Sequence, residues 1–220
     1  MKKIFLTLAL SIVLGVSGME NVAFADDVEK TLADAWTAYN IGKYKETLNL
    51  AQPLALDGNP RAQIIIGKCY ENGLGVPQDM TTAAKWYQLA AEQNNSEAQV
   101  LLAYQYELGI GLPRDEAALT SLMRRAADAG NAEAQFNLAL YYSQGRYGFP
   151  KDQAESFRWA KASADQGFAQ AQRYVGVCYE EGVGVSKNLD EAELWYAKAA
   201  AQGLKKEEGV FTRVREYPMQ

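Results

Sequence analysis

The chain has 220 residues, with 22 basic and 27 acidic side chains, a net charge of −5 and 48% hydrophobic residues, which is the composition of a globular protein. It contains no histidine and two cysteines. These counts exclude histidine-based catalysis and imidazole metal sites, as well as thiolate zinc sites and iron–sulfur clusters. We expect no cofactor and no metal. Since the charge is mildly acidic, we expect no nucleic-acid partner.

The first 25 residues have the pattern of a secretory signal peptide. Lys2 and Lys3 precede an uncharged apolar run from Ile4 to Gly18, and Ala23-Phe24-Ala25 is an A-x-A cleavage pattern. The run of about 15 residues is shorter than the ~20 that a membrane-spanning helix needs. We therefore expect cleavage after Ala25 and a periplasmic or secreted protein that does not insert into a membrane after cleavage.

Residues 26–59 are predicted to form a short, degenerate helical hairpin at the N-terminal end of the fold. Small and aromatic residues recur at helical spacing around a tight turn, namely Ala35, Trp36, Ala38, Tyr39, Gly42, Tyr44 and Leu48. We expect this hairpin to cap the elements that follow.

Four copies of one pattern come next, at steps of 36, 36 and 37 residues. Ala-Gln pairs begin at Ala62, Ala98, Ala134 and Ala171. Tyrosines follow at Tyr70, Tyr106, Tyr142 and Tyr179, and glycines at Gly73, Gly109, Gly145 and Gly182. An acid or asparagine recurs at Asp79, Asp115, Asp152 and Asn188, and a large apolar residue at Trp86, Leu122, Trp159 and Trp195. The third copy carries one additional residue, with Tyr147 where the others have a second glycine.

Each column of this pattern has a physical role. The alanine and tyrosine share one face of a first helix, which the glycine ends with a left-handed residue. The acid caps a second helix, and the tryptophan column faces the core. One such hairpin cannot cover its own apolar face, but stacked copies can. The predicted repeats are residues 62–97, 98–133, 134–170 and 171–205.

The pattern A-x-A-Q-x-x-x-G-x-x-Y-x-x-G-x-G-V-x-x-D resembles the Sel-1-like repeat family, a relative of the tetratricopeptide repeat. The resemblance covers roughly residues 58–205. It implies an all-α fold, an α/α solenoid that winds as a right-handed superhelix, and binding of a protein or peptide. After the repeats, Val210, Phe211, Val214 and Tyr217 recur at about helical spacing, which predicts a capping helix within residues 206–220.

By analogy with tetratricopeptide stacking, the first helix of each repeat lines a concave surface. The residues predicted to face it are Arg61, Ile64, Lys68, Glu71, Glu97, Val100, Tyr104, Glu107, Glu133, Phe136, Leu140, Arg173, Val177 and Glu180, with Trp36 and Tyr39 of the N-terminal hairpin. Their mixture of apolar, aromatic and acidic side chains predicts a groove for a protein with a basic segment. The open alternative is that some of them pack against the neighbouring helix.

The predicted function is an exported binding scaffold, adaptor or regulator that performs no catalysis. Two alternatives stay open: an immunity protein that neutralises a periplasm-directed toxin, and a cell-wall or β-lactam directed hydrolase using Glu71, Glu180 and Glu181. Cys69 and Cys178 occupy the same repeat position, where they are either small packing residues or thiols for redox chemistry or an intermolecular disulfide. The pattern does not specify an oligomeric state.

Overall fold

The computed structural model describes the backbone of residues 18–204 and the side chains from residue 25 onward. This part of the chain is all-α, without a strand. Its helices are α1 (Gly18–Asn40), α2 (Tyr44–Leu56), α3 (Pro60–Asn72), α4 (Met80–Glu92), α5 (Ser96–Leu108), α6 (Glu116–Asp128), α7 (Ala132–Gln144), α8 (Gln153–Asp165), α9 (Ala169–Glu181) and α10 (Leu189–Ala200). None of them is long and apolar enough to cross a membrane. The all-α fold expected from the pattern is confirmed.

Two predicted segments fall partly or wholly outside the described residues. Of the predicted signal peptide, residues 1–17 lie outside them, and α1 begins at Gly18, before the predicted cut after Ala25. The predicted capping helix within residues 206–220 also lies outside them.

The chain divides into two compact units between Gln78 and Asp79. In the first unit, α1 packs on α2 and α2 packs on α3. Residues 41–43 join α1 to α2, and Gly42 takes a left-handed φ of 79° at this turn. Leu32, Ala35 and Ala51 are buried in the core.

In the second unit, the helices pack in chain order, from α4 on α5 through to α9 on α10. The predicted caps are confirmed in both units. Gly73, Gly109, Gly145 and Gly182 end the first helices in the left-handed region. The side chains of Asp79, Asp115, Asp152 and Asn188 accept backbone N–H groups at the start of the second helices.

A second set of caps was not predicted. The side chains of Asn59, Asn95 and Asn131 accept backbone N–H groups at the start of α3, α5 and α7, whereas Phe168 makes no side-chain cap at α9. Each first helix therefore begins two residues before its Ala-Gln pair. In the tryptophan column, Trp159 and Trp195 are buried as predicted, and Trp86 is half-buried.

The glutamine of the Ala-Gln pair links successive repeats. Gln135 Nε2 donates to the carbonyl oxygen of Ala127 at 3.2 Å, and Gln99 and Gln172 make the same bond to Ala91 and Ala164. The amide of Gln166 then donates to Gln135 Oε1 at 2.8 Å. In repeat two, Ala129 stands where Gln166 stands in repeat three, and the buried Gln99 Oε1 has no partner among the described residues.

We expect Ala129→Gln to stabilise the protein by about 0.5–1.5 kcal/mol, because the new amide would satisfy the buried Gln99 oxygen. Ala129 and Gln166 have nearly the same backbone, with φ and ψ of −75° and 2° against −81° and −1°. Urea unfolding measures the change. The matched control, Gln166→Ala, should destabilise the protein by a similar amount, and equal stabilities of all three proteins would contradict the expectation.

Two glycines with left-handed backbones differ in their surroundings. A Cβ on Gly184 would overlap the carbonyl oxygen of Gln153 at the start of α8, whereas one on Gly167 would meet nothing within 4 Å. Gly184 is therefore a stacking contact between repeats three and four, whereas Gly167 is not.

Gly167→Ala should cost about 1–2 kcal/mol through its φ of 91° alone. Gly184→Ala should cost a further ~1–3 kcal/mol, because the overlapping backbone must move. Thermal and urea unfolding of both variants test this difference. Equal losses would show that the close approach at Gly184 does not matter.

Candidate functional site

The structure buries several of the side chains predicted to face a groove. Ile64, Val100, Phe136 and Arg173, which share one repeat position, are 1–3% exposed. Glu71 and Tyr104 are also buried. The prediction of an open surface at these six positions is corrected, since the first helices are buried around most of their circumference. In α5, for example, every residue from Ala98 to Gln105 is buried. The alternative left open by the sequence, packing within the fold, applies to them.

The remaining predicted residues reach solvent. Arg61 and Glu97 are exposed, and Lys68, Glu107, Glu133, Leu140, Val177 and Glu180 are partly exposed. In the first unit, Arg61 forms an exposed ion pair with Glu29. There the Lys68 ammonium also lies 4.8 Å from the ring centroid of Trp36, which stacks on Tyr39.

In the second unit, two partly exposed carboxylates and three tyrosines lie on α5, α7 and the loop after α7, and two of the tyrosines, Tyr104 and Tyr141, are buried. We call Tyr104, Glu107, Glu133, Tyr141 and Tyr147 the acid–tyrosine cluster. Tyr104 donates its hydroxyl hydrogen to Glu133 Oε1 at 2.8 Å and accepts from Asn137 Nδ2 at 2.9 Å. Burial, followed by the charge of Glu133, raises the pKa of Tyr104 well above its usual value. This phenol is therefore a fixed hydrogen-bond donor.

The additional residue of repeat three completes the cluster. Tyr147, at the glycine position of the other repeats, has a left-handed φ of 53°, a conformation that costs a bulky residue about 1–2 kcal/mol. Its hydroxyl donates to Glu107 Oε1 at 2.6 Å, and its ring packs edge-on against Tyr141 at 4.7 Å between centroids. Phe149, 5% exposed, packs on Tyr141 from the same loop. These contacts offset the backbone strain.

Arg146 places a cation at this cluster. Its guanidinium carbon lies 4.7 Å from the Tyr147 ring centroid, and Nη2 donates to the Tyr147 hydroxyl at 2.8 Å. Burial, with the hydrogen bond to Glu107 and its charge, raises the pKa of Tyr147 to about 12 despite the opposing charge of Arg146. Burial and the charge of Glu107 also raise the pKa of Tyr141. The cluster thus accepts a guanidinium group on one of its rings.

These groups are suited to binding rather than to proton transfer. The three phenols stay protonated at neutral pH, because their pKa values lie above that of free tyrosine. Glu107 and Glu133 each accept a phenol hydrogen with Oε1 and are partly open to solvent. The result is negative charge held beside aromatic rings, which attracts cations and hydrogen-bond donors.

The residues considered for other chemistry are placed as follows. Cys69 and Cys178 are buried and free, and burial raises their thiol pKa values to about 11 and about 12, so both are thiols rather than reactive thiolates at neutral pH. Glu180 Oε2 accepts a hydrogen from the Tyr196 hydroxyl at 2.6 Å. Among residues 18–204, no group of three or more potential metal ligands is present.

Sequence reasoning brought Tyr104, Glu107 and Glu133 into the site but missed Asn137, Tyr141, Arg146 and Tyr147. The signal for the loop was present, since repeat three is one residue longer and has a tyrosine in a glycine column. Only the structure shows that this tyrosine reaches back to Glu107 of repeat two.

The phenol of Tyr147 should ionise at a higher pH than a free tyrosine, and a variant without this phenol should show the difference. The ultraviolet tyrosinate titration of Tyr147→Phe, subtracted from that of the unchanged protein, should yield one phenol ionising near pH 12 rather than near 10. The pKa of Tyr147 is higher in the folded chain than in the unfolded chain, so the protonated phenol stabilises the fold. This stabilisation is complete below pH 10 and disappears as the pH rises toward 12. A difference curve centred near pH 10 would contradict the burial of the Tyr147 hydroxyl and its hydrogen bond to Glu107.

Comparison with known proteins agrees with the repeat structure. The family described as Sel1 repeat matches residues 60–95, 96–131, 132–168 and 169–204. A Sel1 repeat protein from Oxalobacter formigenes is 33% identical with a TM-score of 0.70, covering 73% of this chain and 46% of that chain. A protective antigen of uropathogenic Escherichia coli with the same fold is 28% identical with a TM-score of 0.69, covering 84% of this chain and 40% of that chain.

A Pseudomonas aeruginosa protein, 20% identical with a TM-score of 0.59, covers 80% of this chain and 66% of that chain, and this likeness supports the fold alone. The chain spans less than half the length of the Oxalobacter and Escherichia coli proteins. A search of curated proteins gave no match. Sel1 repeat proteins typically act as scaffolds for protein–protein interaction. Since the repeats match consecutively from residue 60 to residue 204, the chain belongs to the Sel1 repeat family.

Proposed function

We propose that this protein is an exported, non-catalytic scaffold, adaptor or regulator that holds a protein partner through the acid–tyrosine cluster and Glu97, which occupies the repeat position of Glu133. The observation that carries this proposal is the pair of tyrosine-anchored carboxylates, Glu133 on Tyr104 and Glu107 on Tyr147. Each phenol fixes the position of a partly exposed carboxylate. Because the side chains are already ordered, binding costs little conformational entropy.

The partner segment at this surface is basic. Arg146 shows the kind of group that the rings accept, a guanidinium over Tyr147, and the carboxylates of Glu107 and Glu133 supply the complementary charge. Cleavage after Ala25 would remove two lysines and one glutamate, so that the net charge changes from −5 to −6. Such a field speeds the association of a partner of opposite charge.

Export rests on the N-terminal sequence, in which a basic start, an apolar run and Ala23-Phe24-Ala25 follow one another. We expect the protein recovered from the periplasm or the medium of an expressing bacterium to begin at Asp26, as intact-mass spectrometry would show. Replacement of Ala23 and Ala25 by bulky residues should block processing. Recovery of full-length chains in the cytoplasm alone would contradict export.

Partner binding is tested by capturing a partner protein from envelope extract with two variants that lose the same number of charges. The first variant changes three acids to Gln: Glu97, Glu107 and Glu133. The control changes Glu92→Gln, Asp128→Asn and Asp165→Asn, three exposed acids at one position of the second helices. We expect the first variant to lose the captured protein and the control to retain it, and mass spectrometry identifies that protein.

The association rate of the purified pair should fall as salt rises past about 0.1 M, where charges more than ~10 Å apart are screened. The first variant should associate more slowly, with a smaller change in its dissociation rate. Equal effects of the two variants, or an association rate independent of salt, would show that the acid–tyrosine cluster is not the binding surface.

A further inference from the structure

Two consecutive residues in the loop of repeat three differ in kind from those of the other repeats. The first is Arg146, at a position where the other repeats have Leu74, Ile110 and Val183, and the second is Tyr147, in the glycine column. The backbone at Arg146 is unchanged, because its N–H donates to a carbonyl oxygen of the preceding helix, as at the three apolar residues. Those apolar side chains are partly buried, whereas Arg146 is exposed. The loop therefore lacks the apolar contact that commonly accompanies this type of helix end.

The guanidinium group of Arg146 stacks on the Tyr147 ring and starts a chain of hydrogen bonds. Its carbon lies 4.7 Å from the ring centroid, and Nη2 donates to the Tyr147 hydroxyl at 2.8 Å. The same hydroxyl donates to Glu107 Oε1 at 2.6 Å. Stacking and donation by one group require a planar cation with several N–H groups, which arginine has and the compact ammonium of lysine is not. This geometry is therefore specific to a guanidinium group.

The contacts of Arg146 nevertheless leave it replaceable. Among the described residues, it forms no ion pair with a carboxylate, and its remaining contact, from Nη1 to Gln144 Oε1, is 3.5 Å long. Arg146 is bonded directly to Tyr147 in the chain, which restricts how its side chain can approach Glu107. An arginine from another protein has no such restriction, so it can pair with Glu107 while it stacks on the ring. Such a charge-assisted pair is stronger than a bond to a neutral hydroxyl.

We propose that the acid–tyrosine cluster selects arginine over lysine in its partner, and that Arg146 occupies the place of that arginine until the partner binds. This inference rests on the proposed function, since it requires a basic partner at the cluster. The partner's guanidinium group replaces Arg146 on the Tyr147 ring and adds an ion pair with Glu107. Because Arg146 fills the ring in the free protein, it lowers the apparent affinity for a partner. It also excludes a partner that offers lysine, which cannot replace the stacked contact.

The test measures the binding of two synthetic peptides to the mature chain by isothermal titration calorimetry. Both have the same Gly–Ser sequence, in which one carries three arginines and the other three lysines. Arg146→Gln removes the occupant from the ring. Lys151→Gln is the matched control, because Lys151 is an exposed base of the same loop and contacts no aromatic ring among the described residues. Arg146→Gln combined with Tyr147→Gly also removes the ring, and glycine suits the left-handed backbone there.

We expect Arg146→Gln to bind the arginine peptide about five- to tenfold more tightly than the unchanged protein, because the ring is then vacant. The lysine peptide should gain on the order of twofold, as should both peptides with Lys151→Gln, because these gains reflect only the lost positive charge. The combination with Tyr147→Gly should lose the preference for arginine. Equal gains for the two peptides, or equal gains from Arg146→Gln and Lys151→Gln, would overturn this inference and leave the proposed surface in place.

One more variant separates that result from a failure of the proposed function. Arg146→Gln combined with Glu107→Gln and Glu133→Gln should bind both peptides weakly. Unchanged binding by this variant would show that the peptides bind elsewhere, which would contradict the proposed surface and this inference together. An arginine peptide that does not bind Arg146→Gln at all would also overturn the inference, since the vacant ring would then have no affinity for a guanidinium group.

Discussion

Each helical hairpin in this chain has an apolar face that it cannot cover by itself, and the junctions of the second unit meet this constraint in the same way. The first helix of one repeat packs on the second helix of the repeat before it, so closely that Gly184 has no room for a Cβ beside Gln153. At the same junction, a buried glutamine donates to the carbonyl oxygen of an alanine. Small residues are needed at these positions, because a larger side chain would separate the backbones.

The loop of repeat three departs from the stacking contact that the other repeats share. Repeat three has an additional loop residue, and Gly148 there lies in open space, unlike Gly184. Tyr147 makes the inter-repeat contact instead, by a hydrogen bond to Glu107. A repeat position that elsewhere serves only stacking has thus become part of a surface with fixed charge. Strained residues of this kind are concentrated at functional sites, which agrees with a binding role for the acid–tyrosine cluster.

The same packing explains which predicted contacts with a partner are absent. In the second unit, a first helix contacts the second helix of its own repeat and that of the preceding repeat, as α7 contacts both α8 and α6. Val100 and Phe136 are buried by this packing and are not accessible to a partner. Glu97, Glu107 and Glu133 remain accessible, because they lie toward the ends of their helices. The proposed binding surface therefore offers charge and phenol groups rather than an apolar groove.

The sequence by itself determined the all-α repeat fold, the caps at Gly109 and Asp115, and the burial of Trp159 and Trp195, because each depends on local spacing and on residue types with narrow conformational preferences. It also placed Glu107 and Glu133 at positions that reach solvent. It did not distinguish core from surface at Ile64 or Arg173, since helical periodicity defines a direction but not how many neighbours surround the helix. Tertiary structure alone decided that Tyr147 meets Glu107 across 40 residues of sequence, because one additional loop residue changes the path of the chain in a way that spacing does not encode.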